Sequence, residues 1–166
     1  MDDETIENAQ RLFVSTHPEI LQAVRGFACR VAVCVRVSCE LHGVPHRIDD
    51  ISAVKGTDPF LMMREARAVK RAMGVQTMPF TADHYLDRFA GELSVDGTVR
   101  RTAHDVLDWL AVGTGERPQV KAAAALWLAR KLADDPLPHS EVSAVSGASD
   151  NAIWRTARRV LDSIAS

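Results

Sequence analysis

Arginines near the end of the chain are the residues whose type and spacing point most directly to chemistry. Arg155, Arg158 and Arg159 recur at the spacing that groups side chains on one face of a helix. A guanidinium group binds phosphates and can donate two hydrogen bonds to the O6 and N7 atoms of guanine. Ser149 and Asn151, at the start of the same helix, would reach base edges or phosphates. The pattern therefore predicts a DNA-binding helix.

A second basic face lies earlier in the chain. Arg64, Arg67, Lys70 and Arg71 are also at helical spacing and form an equivalent basic surface. The simpler interpretation of both faces is a solvated charged surface. For Ser149 the simpler role, and the one we favour, is that of an N-cap.

Neither metal binding nor catalysis is predicted. Cys39, His42 and His46 have the spacing of ligands on one helical face, but Gly43 and Pro45 would break that helix. The three cysteines form no CxxC pair and are interpreted as buried thiols. The sequence contains no nucleophile elbow or complete phosphate-binding loop. We therefore predict a non-enzymatic protein that needs no metal and no cofactor.

The composition is that of a globular protein. Of the 166 residues, 46% are hydrophobic and 25% are charged, and the net charge of −2 means that any basic surface must be local. No apolar run approaches the roughly 20 residues that span a bilayer. The acidic start, Met1 to Glu4, does not resemble a secretory signal. A cytoplasmic location is expected.

The chain contains an internal duplication. Ile51 to Val54 reads ISAV and Val142 to Val145 reads VSAV, an offset of 142 − 51 = 91 residues. The same ungapped offset aligns further identical pairs: Pro45 and Pro136, Gly56 and Gly147, Arg64 and Arg155, Ala66 and Ala157, Arg67 and Arg158, and Val69 and Val160. A single offset across these pairs indicates two copies of one repeat.

Each copy is predicted to end in a helix-turn-helix. In the first copy the short helix runs from Arg47 to Val54 and the turn is Lys55-Gly56-Thr57. The longer helix then begins at Pro59 after the N-cap Asp58 and ends at Gly74. The predicted apolar stripes of the two longer helices are Met62, Ala66, Val69 and Met73 in the first copy, and Ile153, Ala157, Val160, Leu161 and Ile164 in the second.

The remaining apolar segments complete an all-α fold of about five helices per repeat. Phe27 to Leu41 and Gln119 to Leu132 are predicted to be the central helices, preceded in the second copy by Thr81 to Leu93 and Gly97 to Val112. The offset puts the counterpart of Thr81 to Leu93 almost wholly before residue 1, so the first repeat is expected to be truncated. The predicted domains are residues 1–75 and 80–166. Trp109 and Trp127 are expected in the core or between repeats. Trp154 is expected either partly exposed beside the basic face or, as we prefer, against a neighbouring helix.

Three segments resemble archaeal transcription factor B and its eukaryotic relative, transcription factor IIB. Gly43 to Ile51 reads GVPHRIDDI, similar to the family's G-x-P-R-T-L-D-E-I. His84 to Ala90 reads HYLDRFA, similar to D-Y-V-x-R-F-A, and Lys121 to Ala129 reads KAAAALWLA, similar to G-L-A-A-A-A-L-Y-L-A. The resemblance covers about residues 25 to 166 and implies two tandem cyclin-like repeats.

The resemblance also implies a function in transcription initiation. Such a protein would bind promoter DNA and TATA-binding protein, with other transcription machinery as further partners, and would be associated with the nucleoid. The resemblance implies that either DNA or TATA-binding protein would use the basic face of Arg64, Arg67, Lys70 and Arg71. The family's zinc ribbon, which engages RNA polymerase, has no counterpart in the sequence, so a regulator, competitor or truncated paralogue is expected. The alternative is a cyclin-like interaction adaptor that has lost DNA binding. The near-neutral charge favours it, as does the segment Ser149 to Ala157, which departs from the family's T-E-V-T-I-R-N-R-Y.

The metal interpretation gives a first prediction. Because the cysteines form no CxxC pair, adding a chelator is expected to leave the thermal unfolding midpoint unchanged. Differential scanning calorimetry with and without EDTA measures this. A large fall in the midpoint that disappears in a Cys39→Ala or His42→Ala variant would contradict the prediction.

Overall fold

The computed structural model describes residues 3–16, 18–22, 24, 26–53, 56–111, 115–135 and 138–164. Within these ranges the regular structure is helical and no strand occurs, which confirms the all-α class. The chain divides into two compact units, Met1–Pro79 and Phe80–Ser166. None of the helices in the described part of the chain combines the length and apolar character needed to cross a membrane.

Each unit contains five of the described helices. In the first unit they are α1 (Asp3–Ser15), α2 (Pro18–Gln22), α3 (Phe27–His42), α4 (Ile48–Ala53) and α5 (Pro59–Ala72). In the second they are α6 (Ala82–Glu92), α7 (Gly97–Ala111), α8 (Pro118–Leu132), α9 (His139–Ser146) and α10 (Asp150–Ile164). Some residues of the predicted elements and aligned pairs lie outside the described residues: Val54, Lys55, Val112 and Pro136. The side chain of Ile164 also lies outside them.

The helix positions follow the predicted offset. The last three helices of each unit start 91 residues apart, at Phe27 and Pro118, at Ile48 and His139, and at Pro59 and Asp150. Their packing corresponds as well: α3 contacts α4 and α5, α8 contacts α9 and α10, and α1 packs on α3 as α7 packs on α8. These correspondences fit two copies of a cyclin-like helical repeat.

A buried central helix organises each unit. In α8 every residue from Ala122 to Ala129 is buried, and the helix contacts α6, α7, α9 and α10. Alanine has a short side chain, so neighbouring helices approach α8 closely from several sides. In α3 Val33 and Val37 are completely buried, together with Cys39. The predicted central helices and the burial of the cysteines are therefore confirmed.

The helix-turn-helix turns depend on glycine in both units. Gly56 and Gly147, which the offset aligns, have φ angles of +62° and +68°, the left-handed region that L side chains rarely adopt. The following helix is capped in each case. The Asp58 carboxylate accepts a hydrogen bond from the Leu61 N–H at 2.8 Å, and the Ser149 hydroxyl accepts one from the Ala152 N–H at 3.3 Å. Both predicted caps are confirmed.

Tryptophan positions correct part of the expected core. Trp127 is buried as expected, but Trp109 is 62% exposed, because the buried stripe of α7 passes through Val106, Leu107 and Leu110. Trp154 is 44% exposed and lies under the Arg158 guanidinium, 5.1 Å from the ring centroid, instead of being buried against a neighbouring helix. Leu161 is 39% exposed and lies outside the buried stripe of α10.

A buried ion-pair network fixes α5 against α3. The Glu40 carboxylate pairs with the Arg36 guanidinium at 2.8 Å and with the Lys70 ammonium. It also accepts a hydrogen bond from the Thr77 hydroxyl at 2.8 Å. Burial alone would raise the pKa of Glu40. The hydrogen bonds from Lys70 and Thr77 and the charge of Arg36 outweigh burial, and together they hold this pKa below the ordinary 4.5.

This network predicts acid sensitivity. A carboxyl group whose pKa is lowered in the folded state adds stability above its unfolded pKa and loses it as the pH falls through the folded value. The free energy of unfolding should therefore fall as the pH drops below about 4.5. At neutral pH, Glu40→Gln should lower the free energy of unfolding by about 3 kcal/mol, because the buried charges of Arg36 and Lys70 lose the Glu40 carboxylate. Urea unfolding across this pH range measures both effects, and an equal acid-dependent loss in wild type and variant would contradict the role of Glu40.

Candidate nucleic-acid interface

In the second helix-turn-helix, only one face of α10 packs against the rest of the unit. Ile153, Ala157 and Val160 are buried along that face, as predicted. The turn before α10 is fixed by side-chain hydrogen bonds. The Ser143 hydroxyl donates to the Ala148 carbonyl at 2.6 Å, and the Ala148 N–H donates to the Ser146 hydroxyl at 3.1 Å. The opposite face of α10 is consequently presented to solvent in a fixed orientation.

The exposed sector of α10, with the residue just before it, carries the residues of the second unit that are predicted to contact DNA. Ser149, Asn151, Arg155, Arg158 and Arg159 are exposed. At about 100° per residue, the three arginines span roughly 100° of the helix circumference, with Asn151 among them. The structure therefore brings the predicted site residues of this unit together on one surface.

The three arginines have different surroundings. The Arg159 guanidinium pairs with the Glu116 carboxylate at 2.5 Å. The Glu116 side chain is only 16% exposed. Arg158 lies over the Trp154 ring, and its Nε is 3.7 Å from an Asp162 carboxylate oxygen. Arg155 forms no ion pair within the described residues. Arg155 is therefore the most available of the three for an anionic partner.

Arg155 and Arg159 line an open cleft of about 790 Å³ between the start of α8 and the start of α10. Ser149, Arg117 and Glu116 also line it. Three guanidinium groups against one carboxylate leave the cleft net positive, although the whole chain carries −2. A positive cleft of this kind attracts phosphate groups.

Sequence reasoning did not identify Glu116 and Arg117. They are separated from Arg159 by about 40 positions, and only the packing of α8 against α10 brings them to the same cleft. The only local signal is that both precede Pro118, the first residue of α8. An N-terminal proline indicates where a helix starts but not which other helix it meets.

The basic residues of the first unit do not all share one surface. Arg64, Arg67 and Arg71 are exposed on α5. Lys70 is not available with them, because its side chain is only 19% exposed and its ammonium is held by Glu40 and Thr77. In this structure Lys70 belongs to the buried network with Glu40, and its contact with a partner stays a prediction.

The cysteines are not placed as ligands. Burial raises the pKa of the Cys34 thiol to about 11 and also raises that of Cys29, which favours the protonated form over the thiolate that binds metals. Cys39 is completely buried. In the described part of the chain no three His, Cys, Asp or Glu side chains are grouped to hold a metal ion.

Comparison with known proteins gives consistent relatives. Transcription initiation factor IIB of Archaeoglobus fulgidus is 29% identical over 123 residues, which cover 72% of this chain and 38% of that protein. Its namesake in Pyrococcus furiosus is 28% identical over 145 residues, 84% of this chain and 48% of the relative. Transcription initiation factor IIB 5 of Halobacterium salinarum is 26% identical over 148 residues, 87% of this chain and 48% of the relative.

No protein-family model matches the chain. The chain spans less than half the length of these curated relatives. Within that span, the motifs, the all-helical fold and the sequence identities agree. The predicted resemblance is thus confirmed: over most of its length this chain is similar to archaeal transcription initiation factor IIB.

Proposed function

We propose that this chain acts in transcription initiation by binding promoter DNA through the exposed face of α10. The observation that carries the proposal is the arginine-lined surface on the last helix of a helix-turn-helix, beside a net positive cleft. The similarity to proteins named transcription initiation factor IIB supports the same role. By that similarity, TATA-binding protein on the same DNA is the proposed protein partner.

The geometry suggests how the contacts divide. Arg155 and Arg158 project from the middle of the exposed face, where guanidinium groups read guanine in a major groove. Asn151, one turn earlier, would bond a base edge. Arg117, at the mouth of the cleft, suits a backbone phosphate. Ser149 contributes chiefly as the cap that fixes the start of the helix.

Glu116 opposes phosphate binding at the same cleft. Its carboxylate forms an ion pair with the Arg159 guanidinium, and its negative charge would repel an approaching phosphate. DNA binding would therefore require Arg159 to exchange Glu116 for a phosphate, or would proceed through the other two arginines. Either way Glu116 lowers the affinity.

The alternative function is an interaction adaptor without DNA binding. The ion pair between Glu116 and Arg159 and the exposed ring of Trp154 favour it, because aromatic side chains with a nearby arginine are common at protein interfaces. The two functions differ in salt dependence. If binding depends on phosphate contacts, the affinity falls steeply as the salt concentration rises. If binding depends on an aromatic surface, the affinity changes little with salt.

Replacing Arg155, Arg158 and Arg159 together by alanine should weaken binding to a promoter duplex, alone or with TATA-binding protein. Removing each base-specific arginine should cost about 1–3 kcal/mol, and the salt slope should fall by about 1 for every phosphate that is no longer bound. Fluorescence anisotropy over a salt series measures both. The fold should survive, since Ile153, Ala157 and Val160 are unchanged. If the folded triple variant binds the duplex with unchanged affinity, the adaptor function is favoured instead.

Glu116→Gln should have the opposite effect. Removing its charge frees Arg159 for a phosphate, so duplex binding should tighten and the salt slope should steepen by about 0.9. Asp162→Asn is the matched control, because the Arg158–Asp162 pair is wider, at 3.7 Å, and more exposed. The increase in the salt slope should vanish in a Glu116→Gln, Arg159→Ala double variant, because it depends on Arg159. A weaker affinity for Glu116→Gln would show instead that the carboxylate positions Arg159 for DNA.

A further inference from the structure

The outward face of α5 combines an aromatic ring with arginines in a single row. Phe60, Arg64, Arg67 and Arg71 recur at the four- and three-residue steps that align side chains along one side of a helix. Phe60 is 87% exposed, and the Arg64 side chain is 72% exposed. From Phe60 to Arg71 the row is about 16 Å long. This is the length of several nucleotides of a nucleic-acid strand.

The same four positions on α10 carry different chemistry. Shifted by the offset of 91, the row corresponds to Asn151, Arg155, Arg158 and Asp162. The two middle arginines are the same in both helices, whereas the two ends differ. Where α10 has an amide that can bond a base edge, α5 has a phenyl ring. Where α10 has a carboxylate, α5 has another arginine.

The charge of the α5 row is clearly positive. Arg64 pairs with Glu65, whose side chain is 14% exposed. Arg67 and Arg71 form no ion pair with any described residue. Lys70 points its ammonium to Glu40 instead, so it does not contribute to the row. Two uncompensated guanidinium groups therefore lie on the same side of the helix as the Phe60 ring.

The ring determines what kind of partner fits. A phenyl group cannot hydrogen-bond a base edge, but its flat face can stack on a base. At 87% exposure the ring has almost no protein wall around it, so it offers no pocket for an apolar peptide side chain. Bases inside a duplex are already stacked on both sides. Only an unpaired base leaves a face for Phe60.

We propose that α5 is a single-strand-binding surface, on which Phe60 stacks against an unpaired base and Arg64, Arg67 and Arg71 bind the flanking phosphates. This surface is separate from the duplex-binding face of α10. The occupant is single-stranded nucleic acid, and the deoxyribose and ribose forms are distinguished by testing both.

The test uses the full chain carrying the Arg155, Arg158 and Arg159 alanine substitutions, so that α10 does not contribute. Anisotropy is measured with a labelled single-stranded DNA of mixed sequence, its RNA equivalent and the matching DNA duplex. Phe60→Ala should weaken single-strand binding about 5- to 140-fold, the decrease expected for one stacked base. Phe60→Tyr, which keeps the ring, should retain binding. Phe60→Leu, which keeps apolar area without the ring, should weaken it about as much as Phe60→Ala.

Phe27→Ala is the matched control, because Phe27 is also well exposed, at 67%, but lies on α3 outside the row. It should leave single-strand binding unchanged. Thermal midpoints should not move for any Phe60 variant, since its ring is in solvent. No single-strand binding by the parent protein would overturn the proposal, as would full binding by Phe60→Leu, which is expected of an apolar protein-docking surface. An equal weakening of duplex binding by Phe60→Ala in the chain that keeps the three α10 arginines would also overturn it.

Discussion

The burial of one central helix in each unit is the constraint on which the rest of the structure depends. Residues Ala122 to Ala129 of α8 are buried, so four helices must pack around this segment. Each surrounding helix can bury only one stripe. On α10 that stripe is Ile153, Ala157 and Val160, and charged side chains are too costly to bury without partners. The arginines of α10 are thereby confined to the solvent-facing sector.

The two units share their helix packing but differ in the residues that they expose. The α3–α5 contact is reinforced by the Glu40 network, which occupies Lys70. The α8–α10 contact instead forms a cleft in which Glu116 restrains Arg159. The helices that follow the two turns, α5 and α10, share their buried positions. They differ at the two ends of their exposed rows, where Phe60 of α5 corresponds to Asn151 of α10 and Arg71 corresponds to Asp162. One repeat thus supplies two surfaces of different chemistry.

Local signals predicted most of the fold. The Asp58 and Ser149 caps, the glycine turns and the apolar stripes act over a few residues, so the sequence locates these helices within one or two positions. Partners that depend on tertiary packing were not predictable. Glu40 is 30 positions from Lys70, and Glu116 is 43 positions from Arg159. These contacts decide which basic side chains are free, which is why the predicted site included Lys70 and lacked Arg117.

Mapping by nuclear magnetic resonance tests the central claim that α10 and its cleft bind duplex DNA. Backbone amide and arginine side-chain shifts would be followed while a promoter duplex is added at moderate salt. The account predicts that the largest changes fall on Ser149, Asn151, Arg155 and Arg158 and on Arg117 across the cleft, and that they diminish as salt is raised. Changes confined to residues away from α10, or no change at all, would contradict it.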